Sequence, residues 1–209
     1  MLRLHDYLPS ANGYKIRQLL AQLERPYELV LVDIFAGESR TEDFLQHHNP
    51  AGRIPVLELE PGRFLPESNA ILCFLAEGTR FMPESPFERA QVLQWLFFEQ
   101  NLLEPNIGTV RFWKLTGRAV QRAEATRLKM EQGAAALDTL ERHLSSHRFL
   151  VDERYTIADI ALYAFTHVAP QAGFELQRFP AVQAWLERVR SQPKHLGELP
   201  PYTANAHVA

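Results

Sequence analysis

Chemistry in this 209-residue sequence would start from two short polar clusters, each standing just ahead of an apolar run. Ser10, with Asn12 two residues on, precedes the stripe Ile16, Leu19, Leu20 and Leu23, which is one face of a helix. A serine at that place caps the helix by accepting from an amide that has no partner inside it. The same hydroxyl, aimed outward at a helix N-terminus, is also a donor for an anion, where the helix dipole adds its positive end. Asn12 is either the cap itself or a second donor. Glu67-Ser68 precede a second apolar run with Ile71, Phe74 and Leu75 on one face. The Ser68 amide and hydroxyl form a natural carboxylate receptor, and Glu67 offers the opposite charge to an ammonium. His47 and His48 stand just ahead of the Asn49-Pro50 turn without a cysteine near them, and the single cysteine, Cys73, lies in an apolar helix face. No disulfide, no cysteine-based zinc site and no metal are therefore expected.

Composition bounds the rest. Hydrophobic residues make up 46% and charged residues 22%, the mix of a soluble globular protein. The longest apolar run, Ala70 to Ala76, has seven residues, far short of the ~20 that cross a bilayer. The first residues lack the basic and apolar regions of a signal peptide, so a cytoplasmic protein is expected. A net charge of −3 without long runs gives no footprint for nucleic acid and no membrane-binding face.

The elements that must hold the polar clusters follow from punctuation and periodicity. Residues 1–83 carry seven prolines and residues 87–192 only three, so long helices belong to the second part. In the first part, Leu2 to Asp6 reads as a strand, the Ser10-capped stripe as a helix stopped by Pro26, and Tyr27 to Asp33 as a strand. Thr41 to His48 reads as a short helix. Pro55 to Leu59 and Arg63 to Leu65 flank Pro61-Gly62, which suits a type II turn between antiparallel strands. Glu67 to Glu77 closes the set as a helix. The order βαβ then ββα is the thioredoxin-like arrangement.

The second part is helical. Phe87 to Lys114 reads as one helix kinked at Pro105 and Gly108. Met130, Ala134, Leu137, Leu140 and Leu144 mark another. Val182, Trp185, Leu186 and Val189 mark a third, behind Pro180. Thr156 and Asp159 read as a capping box, which makes Asp159 a folding residue. The expected fold class is α+β plus all-α: a domain over 1–80, a linker at 81–86, and an all-helical domain over 87–200. The tail from Pro193 to Ala209 reads as irregular.

Four strings, in order over nearly the whole chain, carry a resemblance. They are Ser10-Ala-Asn12-Gly-Tyr-Lys15-Ile-Arg17, Asn49-Pro50-Ala-Gly52-Arg53-Ile54-Pro55-Val-Leu57, Glu67-Ser68-Asn-Ala-Ile71 and Thr156-Ile-Ala-Asp159. In these the sequence resembles the glutathione transferases, closest in pattern to bacterial theta-like and nu-like members with serine or threonine at the first position. The resemblance implies a thioredoxin-like domain followed by an all-helical one, a homodimer, and glutathione as co-substrate with no metal. It makes Ser10 the donor to the thiolate, with Asn12 a candidate second donor. Ile54, ahead of a cis Pro55, would pair its main chain with the cysteinyl part. Glu67 and Ser68 would hold the γ-glutamyl end, and Arg53 and Arg40 would meet the glycyl carboxylate. The family often has lysine or glutamine at the Arg53 position and histidine or glutamine near Arg40, so this sequence departs there.

The second-substrate pocket is expected between Tyr7-Leu8-Pro9 and the kinked helix around Asn106 to Trp113. Arg111 and Trp113, with Phe98 and Phe112, are its candidate lining, and a small hydrophobic electrophile its occupant. The energetics are modest. A thiol of pKa ~8.5 is about 3% ionised at pH 7. Bringing it to ~6.5 raises that to roughly three quarters, for about 2.7 kcal/mol. One charge-assisted hydrogen bond contributes ~1.5–3 kcal/mol, so one aimed hydroxyl with a helix N-terminus suffices. Two rivals remain: a nu-like enzyme using two glutathiones to reduce disulfides or peroxides, and a non-enzymatic binding or dimerisation module. The lack of a cysteine at or beside Ser10 counts against an oxidoreductase that uses its own thiol.

Overall fold

Leu2–Asp6 (β1), Ala11–Gln22 (α1) and Tyr27–Leu31 (β2) open the chain, and β1 and β2 pair in parallel from Leu2↔Tyr27 to Asp6↔Leu31. This is a computed structural model, which describes residues 1–207; the last two residues of the tail read from sequence lie outside the described residues. Val56–Glu60 (β3) runs antiparallel to β1, and Arg63–Pro66 (β4) antiparallel to β3, giving the order β2-β1-β3-β4. Gly62, at φ +80, occupies the turn position that only glycine adopts at no steric penalty. The helix expected over 41–48 is present as a widened turn, Phe44–His48. Ser68–Ala76 (α2) closes the unit.

On α1 the expected stripe is buried at Ile16, Leu19 and Leu20, yet Tyr14, Lys15, Arg17, Gln18 and Gln22 are buried as well. The reason lies at the other end of the chain. Residues 1–77 form one compact unit together with 193–206, and 78–192 form a second. Along α1, Gln22 donates to the Pro193 carbonyl at 3.3 Å. Gln18 accepts from the Leu196 amide at 2.8 Å, and Tyr14 donates to the Leu196 carbonyl at 3.0 Å. The tail is thus irregular, as expected, but it is pinned to the first unit and does not end a helical domain at residue 200. On α2 the buried face is Ile71, Leu72, Leu75 and Ala76, whereas Phe74 is 46% exposed and Cys73 half-buried. At 100° per residue, positions 73 and 74 flank that face on opposite sides, so Phe74 does not share the buried face of Ile71 and Leu75 that the sequence predicts for it.

In the second unit Pro86–Phe98 (α3) continues through a π-helical stretch, Glu99–Gly108, into Thr109–Leu115 (α4). Pro105 lies inside that stretch, where its missing amide and ring are accommodated by the wider turns. Phe81 and Met82, expected in a linker, are buried, and the Phe81 carbonyl accepts from the Ile157 amide at 3.1 Å. They belong to the helical unit because a Phe-Met pair buries too much apolar surface to be left in solvent. Ala123–Leu144 (α5), Ile157–Thr166 (α6) and Pro180–Arg190 (α7) complete it. Thr156 and Asp159 form the expected capping box. The Asp159 carboxylate also accepts from Trp185 Nε1 at 2.9 Å and the Leu150 amide at 3.1 Å, tying α6 to α7 and to the preceding turn.

Candidate active site

The loop between β1 and α1 presents Ser10. Its backbone is extended (φ −72, ψ 125), and its Oγ accepts from the Gly13 amide at 3.3 Å, so Ser10 is the helix cap. Accepting from an amide uses a lone pair and leaves the hydroxyl proton to point elsewhere. Capping therefore does not use up the donor capacity of this half-buried hydroxyl. That settles the cap in favour of Ser10 over Asn12. Asn12 is turned to another partner, accepting at Oδ1 from Ser68 Oγ at 3.1 Å, so the two polar clusters of the sequence meet through these side chains.

Lys15 completes the junction. It is wholly buried and donates from Nζ to Ser68 Oγ at 3.3 Å and to Asn69 Oδ1 at 3.4 Å. The Ser68 hydroxyl is thus engaged by Asn12 and Lys15, and a buried ammonium stands beside the N-terminus of α2. No local signal marked Lys15, which stands 100° around α1 from Ile16 and owes its burial to partners more than fifty positions away. Glu67, exposed, stands ahead of α2 at φ 72, ψ 110. A non-glycine residue in that region costs on the order of 1–3 kcal/mol, and such strain concentrates at functional sites.

The second string, from Asn49 to Leu57, forms the adjoining loop. The Ile54–Pro55 bond is cis, as expected. Ile54 packs on Val32, Phe44 and Val56 and is separated from the start of β3 at Val56 by Pro55 alone. Arg53 is exposed, and its carbonyl accepts from Asn49 Nδ2 at 2.9 Å. Arg40 donates from Nη1 to the Ala51 carbonyl at 3.3 Å and lies under Gly52, where a Cβ would come 2.9 Å from its side chain. Its guanidinium buttresses the loop.

The pocket candidates separate. Tyr7 is 5% exposed and its hydroxyl is held by the tail, 2.8 Å from Thr203 Oγ1 and accepting from the Thr203 amide at 2.9 Å. Its ring stacks on Tyr202 at 5.8 Å. Tyr7, Leu8 and Pro9 form one wall of a cavity of about 360 Å³, with Val32, Pro200 and Pro201 among the others. In the helical unit Arg111 is buried, with Nε donating to Gln171 Oε1 at 2.6 Å. Trp113 is half-buried beneath the Arg122 guanidinium, 5.5 Å from the ring centre. Among the described residues no group of three or more histidine, cysteine, aspartate or glutamate side chains stands ready for a metal, and no helix is long and apolar enough to cross a membrane.

Known proteins give the same picture. Residues 1–77 match the glutathione S-transferase N-terminal domain, and residues 103–193 match the glutathione S-transferase C-terminal domain. A crystal structure of a glutathione S-transferase from Pseudomonas fluorescens is 50% identical, superimposes with a TM-score of 0.91, and covers 94% of this chain and 98% of its own. The glutathione transferase URE2P8 of Phanerochaete chrysosporium, solved with oxidized glutathione, is 28% identical with a TM-score of 0.82 over 92% of this chain and 90% of its own. The disulfide-bond oxidoreductase YfcG of Escherichia coli is 32% identical over 194 residues, 90% of this chain and 89% of that protein. Two domain matches in order and relatives aligned over nearly their full lengths leave one conclusion: this chain belongs to the glutathione S-transferase family.

Proposed function

We propose that the protein is a glutathione transferase that joins glutathione to small hydrophobic electrophiles. The observation that carries this is the Ser10 hydroxyl, which caps α1 with a lone pair and keeps its proton for an anion at the same helix end. Glutathione would lie with its γ-glutamyl ammonium toward Glu67. Its α-carboxylate would sit at the Ser68 amide with the Lys15 charge behind. Its cysteinyl main chain would pair with Ile54 and its glycyl carboxylate would reach toward Arg53. Arg40 holds the Gly52 loop and serves this end only indirectly. The Ser10 hydroxyl donates to the thiolate and does not take its proton. The sulfur then forms a bond to the electrophilic carbon as the leaving group departs, or adds across an activated double bond, with proximity and thiolate stabilisation supplying the rate.

The electrophile would sit by Tyr7, Leu8 and Pro9, in the apolar cavity those residues wall. Of the other pocket candidates, both in the helical unit, the Arg111 side chain is drawn to Gln171 and Trp113 is covered by the Arg122 guanidinium. The family resemblance adds a homodimer to this reading, and the sequence reading adds a cytoplasmic location. Conjugation of glutathione to a chlorinated nitroaromatic tests it, with Ser10→Ala alongside. The loss of one charge-assisted hydrogen bond lowers kcat/KM by about 10- to 100-fold, with the bound thiol's pKa rising. Unchanged turnover in Ser10→Ala removes Ser10 from the mechanism. The likeness to the disulfide-bond oxidoreductase YfcG favours a second reading, in which the thiolate attacks a disulfide and a second glutathione resolves it. Reduction of a small disulfide outrunning conjugation in one preparation selects that reading. Failure to bind glutathione in calorimetry leaves a binding module.

A further inference from the structure

Beneath Ser10 lies an ion pair that neither polar cluster contains. Asp6, the last residue of β1, is wholly buried, and Arg17 of α1 is 8% exposed. Arg17 Nε sits 3.1 Å from Asp6 Oδ2. Its Nη2 donates to the Leu8 carbonyl at 2.7 Å and reaches the Ser10 carbonyl at 3.4 Å. The Asp6 carboxylate presses against Gly13 so closely that a Cβ there would meet it at 1.9 Å. Gly13 is the residue whose amide bonds Ser10 Oγ. One guanidinium therefore fastens the strand end, the loop and the cap residue, and its counter-charge rests against the turn that receives the Ser10 hydroxyl.

We propose that Arg17 is the positioning residue for the Ser10 hydroxyl, and that Asp6 sets how much of the Arg17 positive charge is felt by the bound thiolate. The inference rests on the reading of Ser10 given above and adds the regulation of that same site. Two features support it. Both groups are buried, where charges several ångströms apart interact far more strongly than at the surface. Burial also pushes Asp6 up to about 7, against the opposing pull of Arg17 and the Tyr7 amide, so its charge develops in the range where an activated thiol titrates. Tyr27 of β2 is the other titratable group coupled to the pair, and its own value is raised, mainly by burial.

The test is the acid constant of the glutathione thiol in the binary complex, read from thiolate ultraviolet absorbance across pH. Asp6→Asn removes negative charge and leaves the Arg17 contacts to the loop in place, so the acid constant rises several-fold and the titration narrows to a single-site curve. Arg17→Gln releases the Leu8 and Ser10 carbonyls and withdraws the positive charge, so the constant falls on the order of tenfold. Arg17→Lys keeps the charge and loses the paired contacts, and it falls between the parent and Arg17→Gln. Opposite signs for the two neutral variants are the signature, because a merely structural pair would lower the constant in both. Equal signs, or an Asp6→Asn constant equal to the parent's, overturn the proposal. Should Arg17→Gln not fold, a parental value in Arg17→Lys overturns it instead. A parent complex whose thiol titrates as it does in free glutathione refutes the Ser10 reading itself, which is a separate result.

Discussion

Two buried aspartates do different work in this chain and share one thermodynamic consequence. Asp159 accepts four hydrogen bonds, from the Thr156 amide and hydroxyl, the Leu150 amide and the Trp185 indole, and still burial pushes it up to about 6. Asp6 faces Arg17 and is pushed up to about 7. For both, the folded chain retains a proton that the unfolded chain releases near 3.8. Stability from these groups is therefore full below the unfolded value and is lost as pH rises through about 6 and about 7. Thermal unfolding followed from pH 5 to 8 is expected to show Asp6→Asn with a flatter profile than the parent and a gain at the alkaline end. A parent and variant that run parallel would refute it. Ser10 needed only a local rule, since a capping serine is legible from its place before an apolar stripe. Lys15 did not, because its partners Ser68 and Asn69 are over fifty positions away in sequence and no local rule assigns a lysine to them.

At the scale of elements, α1 shows how far periodicity reaches. The stripe of Ile16, Leu19 and Leu20 gave the helix and its inner face, while the burial of Tyr14, Gln18 and Gln22 came from a segment that periodicity could not see. The distance between α1 and β1 is set by Gly13, which lets the Asp6 carboxylate lie against the helix backbone. Gly13→Ala is expected to destabilise the fold by about 1–3 kcal/mol in denaturant unfolding, because the added methyl overlaps the buried Asp6 carboxylate, which has no room to move aside. A value within ~0.5 kcal/mol of the parent would show that β1 can yield. The kink expected at Pro105 and Gly108 is instead spread over the wider turns of residues 99–108, and Gly108 lets the Phe165 ring of α6 approach to where a Cβ would be 2.6 Å away. The sequence marked the place of that irregularity and not its form, since a proline can be absorbed by bending or by widening the helix.

For the whole molecule, the decisive feature is the return of residues 193–206 to the unit that residues 1–77 begin. A chain ending at Gln192 loses the partners of Tyr7, Tyr14, Gln18 and Gln22, each a hydrogen bond contributing about 1 kcal/mol. The expected outcome is a loss of roughly 3–5 kcal/mol with faster amide exchange in α1, read by denaturant melts and hydrogen exchange. Unchanged exchange in α1 would show the tail to be dispensable. What the sequence determined by itself was everything that depends on neighbours within a few positions. The Ser10 cap, the Pro61-Gly62 turn, the Thr156–Asp159 box and the apolar stripes belong there, as do the four strings that carry the family. Only the tertiary structure decided the Lys15–Ser68–Asn12 junction, the setting of Asp6 against Arg17 and Gly13, and the strap over α1. Each of these three is a meeting of polar groups whose energy depends on distance and burial, and none exists until separate elements of the chain have packed.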